Sequence, residues 1–289
     1  MKKTSVQNSD RIEMLKSYFE RRDDVMMAFL FGSHSKGQTH RTSDWDIAVY
    51  FRPTVEAIEW EEHHRDYPQE DRVWTDCIDL LKTDEVDLVV LNRAPVSIAD
   101  TAIRGIPLVV KDHRLFIRFM LIVTAAAEDY RQFVKEYYEI SQRSTSLKAQ
   151  DQEDIRKTIE FLEEQLALYS YFVQFSNRDY IEDVHKRNDV ERWIENIVNA
   201  AIDLAKIILG SEKRPIPDTY RETMRQAVWT LKIPEDLIEP FERWVRLRNI
   251  LAHEYLDIKW KRIEDFIHQS ESYFREFVKG VKRFLKENS

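Results

Sequence analysis

Residues 25–51 read VMMAFLFGSHSKGQTHRTSDWDIAVYF, and this stretch decides the fold of the first part of the chain. Two apolar runs of strand length, Val25 to Phe31 and Ile47 to Phe51, stand on either side of a polar loop. Short apolar runs bounded by turn residues are typical of buried β-strands. Further runs of this kind follow at Val86 to Leu91 and Pro107 to Val110. The pattern predicts a small α/β sheet.

The loop between the first two predicted strands has the composition of a phosphate-binding turn. Gly32 and Gly37 are two of only 5 glycines in the chain. Glycine lets backbone amides approach a phosphate closely, and Ser33 adds a hydroxyl donor where the chain turns toward a helix start, which favours anions. Lys36 stands where a basic side chain can reach phosphates, although a solvated lysine is an equally good interpretation. The loop therefore predicts a triphosphate site.

Asp44 and Asp46 follow this loop, one residue apart, at the entry to the second strand. Because strand side chains alternate, we expect both carboxylates on the same side. Neighbouring carboxylates repel unless a cation lies between them, and hard oxygen ligands suit Mg²⁺. Asp87, at the start of the third run, is the candidate third carboxylate; its rivals Asp79 and Asp84 lead no apolar run. With two metal ions, such a trio clamps the attacking and leaving oxygens at an α-phosphorus.

Composition limits the classes of function. The chain has 289 residues, 43% of them hydrophobic and 12% aromatic, which is enough for two domains. The net charge of -8 argues against a broad nucleic-acid-coating surface and leaves room for a small RNA-cutting site. We expect a cytoplasmic protein with no membrane partner, because no apolar run reaches spanning length and the residues after Met1 do not resemble a signal peptide. The single cysteine, Cys77, is predicted to be an inert buried thiol.

From about His113 onward the pattern becomes helical. Long amphipathic stretches replace the short apolar runs, and no convincing strand follows. Between Val190 and Leu209 the apolar residues recur every three or four positions, which predicts one buried helical stripe, closed by Gly210. The second half is therefore predicted to be a helix bundle.

A polar segment separates the two halves. The residues from Ser141 to Asp154 (SQRSTSLKAQDQED) break the apolar periodicity and are the predicted linker. The predicted domains are accordingly residues 1–145 and 146–289.

A second group of polar residues lies near the end of the helical half, where residues 246–258 read RLRNILAHEYLDI. Arg248, Asn249, His253 and Tyr255 form the pattern R-N-x-x-x-H-x-Y. Arginine can stabilise a phosphorane-like charge, and histidine can act as general acid or base near neutral pH. Side chains of these two types can catalyse metal-independent RNA cleavage, in which a 2′-hydroxyl attacks the adjacent phosphate. A helical wheel places His253 well round from Arg248, so one copy predicts a loose site, and cations stabilising a helix end are the competing interpretation.

The Gly32–Ser33 turn, the Asp44 and Asp46 pair and Asp87, in this order between predicted strands, resemble the minimal nucleotidyltransferase (MNT) family of the polymerase-β superfamily. The resemblance covers roughly residues 10–140 and includes the segment DLVVLNRAP, a helix and Gly105. It implies transfer of a nucleotide from ATP, with one or two Mg²⁺ ions. The implied roles are Gly32 and Ser33, with Lys36 nearby, for the triphosphate, Asp44 and Asp46 for the metal, and Asp87 as third carboxylate and candidate base for the acceptor hydroxyl.

The helical half resembles the HEPN family, particularly the HepT-type toxins encoded beside MNT antitoxins. The resemblance spans roughly residues 150–285 and includes VERWIENIVNAAIDLAKIIL and PDTYRETM besides the R-N-x-x-x-H-x-Y pattern. It implies a homodimeric ribonuclease acting on mRNA or tRNA, in which Arg248 and His253 of both subunits face one cleft and Asn249 supports them. In that family the MNT partner attaches AMP to the motif tyrosine, here Tyr255.

Both parts stand in one chain here, which departs from the usual pair of proteins. The implied fold class is α+β, with an N-terminal polymerase-β-type nucleotidyltransferase α/β domain followed by an all-α HEPN helix bundle. The leading functional hypothesis is a fused antitoxin and toxin in which the first domain adenylylates Tyr255. The alternatives are a transferase for a small-molecule acceptor, of the aminoglycoside type, with the helical domain as a lid, and a non-enzymatic dimeric interaction module.

Overall fold

The structure is a computed structural model that describes residues 2–35, 44–54, 58–60, 65–143, 147–253 and 260–288. The chain divides into two compact units, Met1–Ala127 and Glu128–Ser289. The division falls inside the long helix α5, His113–Ser141, whereas the predicted linker begins where this helix ends. A functional boundary between residues 145 and 146 stays a prediction.

The first unit is built on a four-stranded sheet, which confirms the predicted strands. Its strands are β1 Val25–Phe31, β2 Trp45–Phe51, β3 Val86–Val90 and β4 Ile106–Val110. Their order is β3-β2-β1-β4; β1 runs antiparallel to β2 and β4, and β2 runs parallel to β3. Strand β2 begins two residues before the predicted start, because the Trp45 side chain is buried and extends the inward-facing face past Asp46.

Helices complete the first unit on the sheet. They are α1 Lys2–Glu20, the single turn α2 Gly32–Ser35, α3 Glu70–Leu81, α4 Val96–Ile103 and the first part of α5. Leu15 and Phe19 of α1 and Val73 and Cys77 of α3 join the strands in one hydrophobic core. Cys77 is a free, fully buried cysteine, as predicted, and burial raises the pKa of its thiol to about 12.

All the regular elements among the described residues of the second unit are helices, as predicted. After the end of α5 it contains α6 Ala149–Ala167, α7 Tyr169–Phe172, α8 Asn177–Glu182, α9 Val184–Ser211, α10 Tyr220–Thr230, the 3₁₀ turn Glu235–Leu237, α11 Ile238–His253, α12 Trp260–Gln269 and α13 Glu271–Glu287. In the part of the chain that the structure describes, no helix combines the length and apolar character needed to cross a bilayer.

Helix α9 is the centre of the bundle, and its predicted apolar stripe is buried. The expectation that Gly210 closes this helix is wrong, because the helix continues to Ser211 and Glu212 follows as its cap. A Cβ at Gly210 would lie 2.8 Å from Cγ2 of Ile140, closer than carbon atoms pack. Gly210 is therefore required by the close approach of α5, not by a turn.

Candidate active sites

The first candidate site lies where β1 ends. Gly32 follows β1 directly and has φ +66°, in the left-handed region that favours glycine. A Cβ at this position would overlap the carboxylate of Asp46, which is paired with Phe31 across the β1–β2 register. The sequence predicted Gly32 for its approach to a phosphate; the structure gives it a second reason, namely space for an acidic side chain of the site.

Asp46 and Asp87 are brought side by side by the sheet. They are Cα partners in the parallel β2–β3 register. Residues directly opposite on neighbouring strands project on the same face, so the two carboxylates are neighbours. The pKa of Asp46 is raised, first by burial and then by the negative charges of Asp87 and Asp44. A cation between these groups would reverse that repulsion.

Asp44 stands at the exposed edge of the same group. Its carboxylate lies beside that of Glu85, whose pKa is raised first by a hydrogen bond with Asp44 and then by the charge of Asp44. Backbone pairing supports the contact, because the amide of Trp45 donates to the carbonyl oxygen of Glu85 at 2.9 Å. Glu85 is thus a fourth carboxylate of this sheet edge, and its position before β3 carried no signal in the sequence.

The described part of the chain contains no set of three His, Cys, Asp or Glu side chains close enough to hold a metal ion. The paired Asp46 and Asp87 fit the chemistry of Mg²⁺, which commonly binds through one or two carboxylates together with substrate phosphates. Asp44 raises the pKa of Asp46 by its charge, but in the described residues it does not close a three-ligand group with that pair.

The loop after Gly32 is described only at its start. Ser33 lies in α2, whose single turn is held by a 2.9 Å hydrogen bond from the Ser35 hydroxyl to the Gly32 carbonyl oxygen. His34, which the sequence analysis did not single out, stacks on Trp45 with ring centroids 4.1 Å apart. Its charge would lower the pKa of Asp46, so its ring lies close to the acidic group. Lys36, the predicted phosphate contact, lies outside the described residues.

The second candidate site is centred on Arg248 in α11. The guanidinium donates from Nε to the Asn199 side-chain oxygen at 2.6 Å and from Nη1 to Oδ1 of Asn249 at 3.2 Å. It also lies over the ring of Tyr220, 5.3 Å from its centroid. Arg248 and Asn249 are both buried. Asn249 therefore orients Arg248 by a direct hydrogen bond, and its role in catalysis stays a prediction.

Arg248 and His253 approach the same oxygen atom. Oδ2 of Asp129, in α5, lies 2.7 Å from Arg248 Nη1 and 3.8 Å from His253 Nε2. Burial alone would raise the pKa of Asp129, but its interactions with His253 and Arg248 hold that pKa well below its usual range. The expectation that one copy of the motif makes a loose site is wrong for these two side chains. They converge because a carboxylate from another helix lies between them.

A cavity of 270 Å³ opens beside Arg248. Its wall includes Tyr220, whose pKa is raised first by burial and then by the charge of Asp129. Lys206 also lines it and donates to Glu136 at 2.5 Å and to Asp203 at 2.8 Å. The charges of the cavity are thus largely paired within the protein. Tyr255, two residues after His253, lies outside the described residues.

Sequence reasoning missed Asp129, Tyr220 and Asn199. Tyr220 and Asn199 lie within the two segments, PDTYRETM and VERWIENIVNAAIDLAKIIL, that carried the HEPN resemblance, so their signal was present but not assigned to the site. Asp129 had no signal, because it stands among alternating charged and aromatic residues of an amphipathic helix.

Comparison with known proteins assigns both units. The polymerase beta nucleotidyltransferase family model matches residues 13–114, and the ribonuclease HepT-like family model matches residues 161–281. Among solved structures, a chain from a "crystal structure of the toxin-antitoxin with AMP-PNP" shares 22% sequence identity, with a TM-score of 0.34, over 44% of this chain and 95% of that chain. No curated protein matches.

The two family matches fall on the two units separately. The first covers the sheet with Gly32, Asp46 and Asp87, and the second covers Arg248 and His253. The chain therefore contains a polymerase-β-type nucleotidyltransferase domain and a HepT-like HEPN domain in one polypeptide.

Proposed function

We propose that this protein is a fused antitoxin and toxin, in which the nucleotidyltransferase domain transfers AMP from Mg-ATP to Tyr255 and thereby silences a metal-independent HEPN ribonuclease. The observation that carries the proposal is the pairing of Asp46 with Asp87 beside Gly32 in the same chain as the convergence of Arg248 and His253. A chain built only for one of these chemistries would not need the other group of residues.

In the first reaction the Tyr255 phenol oxygen attacks the α-phosphorus of ATP. A phosphorus–oxygen bond forms to the tyrosine, the bond to the β-phosphate bridging oxygen breaks, and pyrophosphate leaves. Asp87, which is exposed beside Asp46, would accept the phenol proton. Asp44 and Asp46, with Asp87, would hold Mg²⁺, which neutralises the charge that develops on the phosphates.

In the second reaction an RNA 2′-hydroxyl attacks the adjacent phosphate and displaces the 5′-oxygen of the next nucleotide. Arg248 would stabilise the charge of the pentacoordinate phosphorus, because its guanidinium is already oriented by Asn199 and Asn249. His253 would move the proton, since imidazole can give and take protons near neutral pH.

Silencing follows from the chemistry of the modified tyrosine. Tyr255 is two residues beyond His253, so a phosphodiester on its oxygen would bring bulk and negative charge close to the group that must receive an RNA phosphate. Because the attached AMP is negatively charged, its transfer from ATP should inhibit RNA cleavage and not activate it. We further propose that the ribonuclease acts as a homodimer through its HEPN domain, as the resemblance implies.

The test is the intact mass of the purified protein after incubation with Mg-ATP. We expect whole AMP additions to the wild type and none to Asp44→Asn, Asp87→Asn or Tyr255→Phe. Asp79→Asn is the matched control, because Asp79 is an exposed aspartate of the same domain that lies on α3 and not on the strands that carry Asp46 and Asp87. Its additions should equal those of the wild type.

Two results would contradict the proposal. Equal AMP addition to Tyr255→Phe would show that another residue is the acceptor. If no protein gains mass although the wild type is purified unmodified, the transferase acts on a separate acceptor. Labelling of an added aminoglycoside would then favour the small-molecule transferase.

A further inference from the structure

Asp129 is the acidic residue that contacts both side chains proposed to handle the RNA phosphate. It stands on α5, before the segment that matches the HepT-like family, so the family match assigns it no role. Its Oδ2 atom is 2.7 Å from Arg248 Nη1, so the two side chains form a close ion pair. A phosphate oxygen of bound RNA would have to make this same contact.

The geometry favours competition with a phosphate over orientation of His253. The contact from Asp129 to His253 Nε2 is 3.8 Å, too long for a hydrogen bond that would fix the ring or its tautomer. The short contact is made to Arg248, where the carboxylate cancels the charge that an RNA phosphate needs. Asn199 and Asn249 occupy further N–H groups of the same guanidinium, so Arg248 meets RNA with its charge paired.

The solvent exposure of the three side chains differs. The Arg248 and His253 side chains are each 10% exposed, whereas the Asp129 side chain is 35% exposed. The Oδ2 atom that contacts Arg248 is buried, so water solvates this carboxylate through the exposed part of the side chain once the carboxylate leaves the arginine. Asp129 can thus be exchanged for another anion without exposing the buried arginine.

We propose that Asp129 is an internal anion that occupies the RNA-phosphate position at Arg248 and His253 and lowers the RNA affinity of the HEPN domain. The proposal rests on the ribonuclease function proposed above. The ligand that competes with Asp129 is the phosphodiester of an RNA strand.

The experiment measures binding of a fluorescent RNA oligonucleotide in which every 2′-hydroxyl is methylated, so that cleavage by 2′-hydroxyl attack is blocked. Anisotropy titrations use the full chain, with intact mass confirming that no nucleotide is attached. We expect Asp129→Asn to bind about tenfold more tightly than the wild type, equivalent to about 1.4 kcal/mol. The slope of log affinity against log salt should steepen by about 0.7, because one more phosphate charge is neutralised by an unpaired arginine.

Glu136→Gln is the matched control. Glu136 lies two turns further along α5 in the same cavity, where its carboxylate accepts hydrogen bonds from Lys206 and Gln132. Glu136→Gln also deletes one negative charge from the cavity. If the direct contact with Arg248 matters more than the total charge of the cavity, this variant should change RNA affinity by less than about twofold. An equal gain in Glu136→Gln would overturn the proposal.

A second variant, Asp129→Ser, guards against a fold defect in Asp129→Asn, and thermal unfolding checks both. Unchanged or weaker RNA binding by a folded Asp129 variant overturns the proposal, and failure of both variants to fold does so too, because the contact would then be structural. If no protein binds the RNA at all, including Asp129→Asn, the ribonuclease function itself fails. Equal binding by the wild type and Asp129→Asn refutes only the internal-anion proposal.

Discussion

Replacing Gly32 by alanine perturbs the nucleotidyltransferase site with a single methyl group. The residue has φ +66°, where a non-glycine residue costs about 1–2 kcal/mol. The new Cβ would overlap the Asp46 carboxylate, so this side chain has to move away from its partner Asp87. A misplacement of about 1 Å in a catalytic group can cost roughly 100-fold in rate. We therefore expect AMP transfer by Gly32→Ala to fall by about 100-fold.

The assay is the initial rate of AMP incorporation, measured by intact mass at saturating Mg-ATP and normalised to the folded fraction from thermal unfolding. Gly105→Ala is the control, because a Cβ there would overlap the carbonyl oxygen of Leu30 in the same domain but reaches no carboxylate. It should lower stability while its folded fraction keeps the wild-type rate. A rate for Gly32→Ala within about twofold of the wild type would refute the reasoning that the glycine makes room for Asp46.

Three further changes test other parts of the structure. Arg248→Lys should lower the rate of RNA cleavage by roughly 100-fold, because an ammonium cannot reproduce the oriented guanidinium. Arg243→Lys, at an exposed position of the same helix, should keep the wild-type rate. Equal rates for both variants would argue against a role for Arg248. The lowered pKa of Asp129 predicts a stabilisation that is present above its unfolded-state pKa of about 3.9 and is lost as the pH falls toward the folded value. In denaturant titrations from neutral to acid pH, Asp129→Asn should therefore lose less unfolding free energy than the wild type. Equal losses of unfolding free energy would contradict this assignment. Asn92→Ala should cost about 2–3 kcal/mol of unfolding free energy, because the buried side-chain amide accepts a hydrogen bond from the Phe51 N–H at 2.8 Å and donates one to the Phe51 carbonyl oxygen at 3.1 Å. A cost below about 0.5 kcal/mol in urea unfolding would show that water replaces the lost amide.

The fold class could be predicted because its signals are local. Each strand of the sheet is a short apolar run with polar residues at both ends, and the stripe of α9 follows the helical period over five turns of sequence. Gly210 was misjudged because a glycine at the end of an apolar stripe is usually a cap. Its actual cause, the close packing against Ile140, depends on a helix that is distant in sequence.

The first candidate site was only partly accessible from sequence. The spacing of Asp44 and Asp46 is local and predicts that they share a face. The position of Asp87 beside Asp46 depends on the parallel pairing of β2 with β3, which requires the strand order and the register. His34 and Glu85 could not be singled out, because their relation to the carboxylates arises from ring stacking and from backbone pairing at the sheet edge.

The second candidate site shows the limit of the helical wheel. The wheel separates Arg248 from His253 because it assumes that side chains extend radially from a regular helix. Arg248 has a long side chain and His253 is the last residue of α11, so both can turn toward one carboxylate. No pattern within α11 indicates where that carboxylate comes from, since Asp129 belongs to a helix much earlier in the chain.

The coupling between the two domains is tested most directly by RNA cleavage measured before and after incubation with Mg-ATP, in the wild type and in Tyr255→Phe. The account predicts that the wild type gains AMP and loses cleavage in proportion, whereas Tyr255→Phe gains no AMP and continues to cleave RNA. Loss of cleavage in Tyr255→Phe after the same incubation, or full cleavage by wild-type protein that carries AMP, would contradict it.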